Sequence, residues 1–190
     1  MTACMTWTIS GVVIVASLGL IAIYNRFIAL GRRCDQAFAD IDVQLKQRHD
    51  LIPNLVETVK GYAGHERGTL EAVMKARNAA QAAPTDAAKL QAESGLTAAL
   101  GRLMVVTEAY PDLKASQQFS NLQDELADIE NKMAAARRYL NNTVGEYNAT
   151  LEQFPGIAVA AVFGFQPRAF YDVGKDGRQA MDAAAPSVRF

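Results

Sequence analysis

No charged side chain occurs between Met1 and Asn25, and the stretch from Trp7 to Tyr24 is almost wholly Val, Ile, Leu, Ala and Gly. At 1.5 Å per residue a helix over that stretch is ~27 Å long, close to the ~30 Å of hydrocarbon in a bilayer. Trp7 and Tyr24 stand at its two ends, where amphipathic rings favour the membrane–water interface. A cleaved signal peptide would want basic residues ahead of the apolar run and a small-x-small site behind it. Residues 1–6 carry no Lys or Arg, and Ile21 to Arg26 offers no such site. Residues 1–25 are therefore expected to be a retained transmembrane anchor. Arg26, Arg32, Arg33, Lys46 and Arg48 all follow it, which predicts a single pass with the N-terminus outside and the remainder in the cytoplasm.

Behind the anchor the apolar period is helical. Phe27, Cys34 and Ile41 form one row and Gly31, Phe38, Leu45 and Ile52 a second, the seam of a coiled coil. The phase continues through Leu55, Val59 and Tyr62 in spite of Pro53, so either a kinked continuous helix or a tight turn at Leu51 to Asn54 fits. Leu70, Val73, Met74 and Arg77 carry the pattern on to Pro84, Thr85 and Asp86, which read as a stop followed by a cap. The next repeat, Leu96, Leu100, Leu103 and Thr107 to Tyr110, closes at Pro111 and Asp112. The longest regular stretch runs from Phe119 through Leu122, Leu126, Ile129, Met133, Leu140, Val144, Tyr147 and Leu151 to Phe154. No window alternates with period two, so the fold class expected is all-α: an N-terminal transmembrane helix, then an elongated antiparallel up-and-down helical bundle over residues 26–173.

Phe154, Pro155 and Gly156 break the long helix, and residues 154–165 form an uncharged post-bundle segment too short to span a bilayer. It either folds back as core or docks on lipid, on another copy or on another membrane protein. Phe170 and Tyr171 offer a last contact, and residues 174–190 have the composition of a disordered tail.

Composition excludes several classes. Lys and Arg number 19 against 20 Asp and Glu, so no basic excess is available to track a phosphate backbone, and nucleic acid is not an expected partner. Cys4 and Cys34 make neither a disulfide framework nor a CxxC pair, and Cys34 reads as a small buried hydrophobe. Phosphate-loop, dinucleotide-fold and nucleophile-elbow glycine patterns are missing, and Gly61, Gly64 and Gly68 sit within a helical repeat, read as close helix packing or a weak point. His49 precedes Asp50 and His65 precedes Glu66, but Thr69 stands where a zincin helix needs its second histidine. The alternative reading, a metal-dependent sensor or enzyme using His49 and His65 with neighbouring acids, rests on those dipeptides; no cofactor or small-molecule substrate is expected. Asn141-Asn142-Thr143 and Asn148-Ala149-Thr150 match the glycosylation pattern but fall in an expected helix and carry no weight. Asp124, Glu125, Asp128, Glu130, Lys132, Arg137 and Arg138 read as solvated helix surface.

Ile41-Asp42-Val43-Gln44-Leu45-Lys46, followed by the unbroken run from Asp50-Leu51-Ile52-Pro53-Asn54 to Tyr62-Ala63, resembles the signature of the LemA family. The resemblance extends through His65-Glu66, Glu108 to Lys114, Phe119, Leu122-Gln123, Tyr147-Asn148, Phe154-Pro155 and Gly164-Phe165, about residues 24–171. It implies a bacterial inner-membrane protein with one N-terminal helix and a cytoplasmic helical bundle. Relatives associated with membrane remodelling in magnetosome-forming bacteria, or found alongside membrane proteases, imply scaffold or adaptor roles. The reading is a noncatalytic, self-assembling membrane scaffold or adaptor, a homo-oligomer that also takes a membrane-protein partner. Its candidate contact residues are Asp42, Gln44, Asp50, Asn54, Glu57 and Lys60, together with Ile157, Phe163 and Phe165.

Overall fold

The computed structural model describes residues 2–171, and among them every regular element is helix: α1 (Thr2–Tyr62), α2 (Arg67–Ala82), α3 (Asp86–Thr107), α4 (Pro111–Lys114), α5 (Gln117–Glu152) and α6 (Gly156–Phe163). The fold is all-α, with one N-terminal apolar helix followed by a helical bundle. The tail expected over 174–190 lies outside the described residues. Residues 1–41 with 135–172 make one compact unit and residues 42–134 another, and α1 and α5 contribute to both.

In the first unit, α1 is long and apolar enough to cross a membrane, and its N-terminal side chains have almost no protein cover: Trp7 is 81% and Val12 69% exposed. Burial begins at Phe27 and continues through Leu30, Cys34, Ala37 and Ile41. Ala37 turns inward where the sequence pattern had Phe38, which lies one residue round the helix and stays 36% exposed. Against this face pack Leu140, Val144, Tyr147 and Leu151 of α5 and Val159 and Ala160 of α6. Phe154, expected to close the apolar row, is instead 86% exposed because α5 ends at Glu152.

After α6 the chain turns at Gly164, whose φ of 73° suits a residue without a side chain, and runs extended along α5 as a strap. Two asparagines of α5 hold it. Asn148 donates to the Arg168 carbonyl at 2.8 Å and accepts from the Arg168 amide at 2.9 Å. Asn141 does the same with Tyr171, at 3.2 and 2.8 Å. Tyr171 also lies under the Arg137 guanidinium, 5.3 Å from the ring centroid. Sequence reading set both asparagines aside as parts of glycosylation matches.

In the second unit the core is aliphatic, with Ile52, Leu55 and Val59 of α1, Leu70 and Val73 of α2, Leu96 and Leu103 of α3, Leu113 of α4 and Phe119 and Leu122 of α5. Pro53 lies inside α1, which settles the choice left open at Leu51 to Asn54 in favour of one continuous helix. The break falls later, at Ala63 to Glu66, where the Gly61 and Gly64 region ends α1 rather than continuing a repeat. The α2–α3 turn is as expected: Pro84 precedes Thr85, whose Oγ1 accepts from the Ala88 amide at 3.2 Å. Pro111 does not merely end a helix, since it opens the short α4 at the position where a missing N–H is harmless.

Candidate functional site

The centre of residues 42–134 is ionic. On α1, Leu45, Arg48, Ile52, Leu55 and Val59 step along one face by threes and fours, so Arg48 stands where an apolar residue belongs. It is 2% exposed. On α3, Glu93 occupies the same kind of position ahead of Leu96, Leu100 and Leu103, and is 3% exposed. The two meet, with Arg48 Nη1 donating to Glu93 Oε2 at 3.0 Å. Arg48 Nη2 donates to Thr97 Oγ1 at 2.9 Å and pairs with Glu130 Oε1 of α5 at 2.6 Å. The second oxygen of Glu93, Oε1, lies 2.6 Å from His49 Nε2. Glu130, read from sequence as solvated surface, thus reaches inward to close the arrangement.

Pro53 explains the remaining member. A helical residue at position 53 would donate its N–H to the carbonyl of residue 49, and proline has none to give. The His49 carbonyl accepts instead from Arg77 Nε of α2 at 2.7 Å. The gap that Pro53 opens in α1 is filled from the neighbouring helix, and α1, α2, α3 and α5 are joined at one level of the core. Both Glu93 oxygens are engaged, and the His49 ring nitrogen nearest an acid is taken by it. Among the described residues of 42–134, the buried side-chain atoms left without a hydrogen bond are Gln44 Oε1 and Arg48 Nε, an acceptor and a donor one helical turn apart on α1.

The sequence-predicted contact residues divide between the two units. Asp42, Asp50, Asn54, Glu57 and Lys60 are exposed and share one face of α1. Asp42 pairs with Lys89, Asp50 with Lys46 at 2.5 Å and Glu57 with Lys60 at 3.1 Å. The Lys46 hydrogen bond holds the Asp50 carboxyl below the usual carboxylate range. Gln44 lies off this face and is half-buried. Asp50 and Asn54 border an open groove of about 430 Å³ between α1 and α5, completed by Gln47, Leu51, Glu125, Asp128, Ile129 and Lys132. In the other unit Ile157 is exposed, whereas Phe163 and Phe165 are packed against Tyr24 and Phe27. There too, Arg168 bonds Asp35 at 2.5 Å and lies over the Tyr147 ring, and burial pushes the Cys34 thiol up, partly offset by the Arg168 charge.

The histidines of the alternative reading do not converge. His49 is buried in the ionic centre and His65 is exposed on the α1–α2 turn. Among the described residues no three His, Cys, Asp or Glu side chains group to hold a metal ion.

The sequence profile of the LemA family matches residues 37–190, which takes in the ionic centre, the 42–60 face, α6 and the strap. The chain belongs to the LemA family. Among curated relatives it is similar to magnetosome protein MamQ of Magnetospirillum gryphiswaldense, with 23% identity over 169 residues, 75% of this chain and 62% of that protein. It is equally similar to magnetosome proteins MamQ 1 and MamQ 2 of Paramagnetospirillum magneticum, each 23% identical over 174 residues, 78% of this chain and 64% of those proteins. This LemA-family chain therefore spans less than two thirds of the length of the relatives it matches.

Proposed function

We propose that this LemA-family protein is a membrane-anchored, noncatalytic scaffold or adaptor of the bacterial cytoplasmic membrane. Residues 7–24 cross the bilayer once, with the N-terminus outside. The bundle stands in the cytoplasm, where it self-associates and binds membrane-associated partners through the 42–60 face of α1. The observation that carries this reading is α1 itself, whose apolar N-terminal side chains have no protein around them while the same helix goes on to build a bundle core. Two further features support it. The buried Arg48 and His49 share the Glu93 carboxylate, and Asp50 and Asn54 border an open groove of the kind a partner helix fills.

Two measurements test it. In a Cys4→Ser background, Val105→Cys, on the exposed surface of α3, should react with a membrane-impermeant maleimide in inverted inner-membrane vesicles and not in intact spheroplasts; the reverse pattern overturns the orientation. In mild detergent the intact protein should have the mass of a discrete oligomer, and Asp50→Cys or Asn54→Cys should cross-link copy to copy in native membranes. A strict monomer with no cross-link at either position overturns self-assembly.

A further inference from the structure

Helix α6 reads GIAVAAVF and carries no polar side chain on any face. Its inward face is Gly156, Val159 and Ala160, all buried, and the half-exposed Phe163 at its end meets Tyr24 with tilted rings at a centroid distance of 4.9 Å. Its outward face is Ile157, Ala158, Ala161 and Val162, with Ile157 53% and Val162 77% exposed. At about 100° per residue these four occupy one sector of roughly 140°, and Phe154, just ahead of the helix, is 86% exposed. A helix apolar all round is stable buried in protein or in lipid, not half in water. Something covers the outward face.

Its place in the unit says what. Tyr24 ends the apolar run of α1 and Arg26 is the first charge after it, so on the reading that residues 7–24 cross a bilayer, Tyr24 marks where hydrocarbon gives way to headgroups. Helix α6 is fixed at that level. Phe163 and Phe165 both pack on Tyr24, Phe165 stacks on Phe27 at 4.8 Å, and a Cβ on Gly156 would lie 3.3 Å from the Phe27 ring and run into the Thr150 carbonyl oxygen of α5. The contacts at Gly156 and Phe163 are seven residues apart on α6, ~10.5 Å, but reach α1 at Phe27 and Tyr24, three residues or ~4.5 Å apart. Both ends of the short helix therefore meet α1 within the single turn from Tyr24 to Phe27, the level at which an interfacial helix lies. Arg26, which pairs with Glu146 at 3.5 Å, supplies exposed charge at headgroup height.

We propose that α6 is a second membrane contact: an interfacial helix in the leaflet on the bundle side, with Phe154, Ile157 and Val162 seated in the headgroup–acyl boundary. The occupant of its outward face is lipid rather than another copy, because α1 already holds the bilayer at this depth in the same compact unit. The proposal rests on the reading of residues 7–24 as a membrane span, and the experiment separates the two.

The test uses the full chain in vesicles of phosphatidylcholine and phosphatidylglycerol, with lipid brominated near the top of the acyl chain as quencher. The natural sequence has a single tryptophan, Trp7, which reports on the span. In a Trp7→Phe background, Val162→Trp and separately Ile157→Trp report on α6 from positions that do not enter its packed face, and Val105→Trp reports on the bundle surface. Blue-shifted emission at 162 and 157 that loses most of its intensity to brominated lipid, with position 105 unaffected, is the expected result. Emission at water-exposed wavelengths, quenched by iodide, overturns the proposal. So does blue-shifted emission untouched by bromine, which places protein over α6. With Trp7 quenched, either adverse outcome removes α6 alone; with Trp7 unquenched, the span itself falls and the proposal with it.

Discussion

The two units bury polar groups by opposite means. Residues 42–134 put formal charges in the middle of an aliphatic core, Arg48 against Glu93 and Glu130, with His49 and Arg77 at the flanks. Residues 1–41 with 135–172 keep charges at the margin and bury aromatic rings, while neutral asparagine amides bind the backbone of the strap. A buried ion pair loses about as much solvation as it gains in attraction, so its contribution to stability is small while it is intact and large when it is broken. Amide-to-backbone bonds are each worth about 1 kcal/mol and fail one at a time. The first device makes the four helices of its unit agree on one register; the second fastens a segment by increments.

Three substitutions probe that contrast. Glu93→Ala should produce the largest loss, about 3–5 kcal/mol, because Arg48 and His49 keep their burial and lose their shared acid. Urea unfolding monitored by hydrogen exchange in peptides from 42–134 would read it, and the pair Arg48→Met with Glu93→Leu should recover most of the loss. If the double variant is as damaged as the single one, the charges are contributing attraction and not register. Next is Arg77→Met, expected to cost about 2 kcal/mol for a charged donor withdrawn from a carbonyl with no other partner. In a Pro53→Ala background the same change should cost much less, since the alanine N–H takes over the His49 carbonyl; equal costs in both backgrounds would uncouple Arg77 from the proline. Smallest is Asn148→Ala, about 1–2 kcal/mol and confined to the strap. The Arg168 amide should exchange faster while peptides from 42–134 are unchanged, and a global loss would mean that the strap is not an incremental fastening.

Much of the fold was legible because it depends on sums over long windows. The long apolar helix at the N-terminus is a matter of total hydropathy, and α5 and the Pro84–Thr85 turn follow from period and cap chemistry. The α1–α2 break was not legible, because Leu70 and Val73 face the same core as Val59 and so preserve the phase across Ala63 to Glu66. The ionic centre was missed for a related reason. Glu93 and Glu130 resemble solvated acids in isolation, and only the apolar spacing around Arg48, Glu93 and Arg77 betrays a charge in a core position. Of the polar contact residues of α1, Asp42, Asp50, Asn54, Glu57 and Lys60 are exposed and Gln44 is half-buried, while Phe163 and Phe165, picked for hydrophobicity, pack on Tyr24 within their own unit, with Phe163 still half exposed.

The asparagine pair has one more consequence. Asn141 and Asn148 are seven residues apart on a helix, ~10.5 Å, and the residues they hold, Tyr171 and Arg168, are three apart in extended chain, ~10 Å. Each asparagine offers a donor and an acceptor like a peptide group, so α5 presents two rungs that the strap meets at residues three apart. The match works as a vernier: the side chains of Ala169 and Phe170 can change without disturbing it, but adding or deleting one residue between 168 and 171, or between 141 and 148, leaves one rung with nothing to hold.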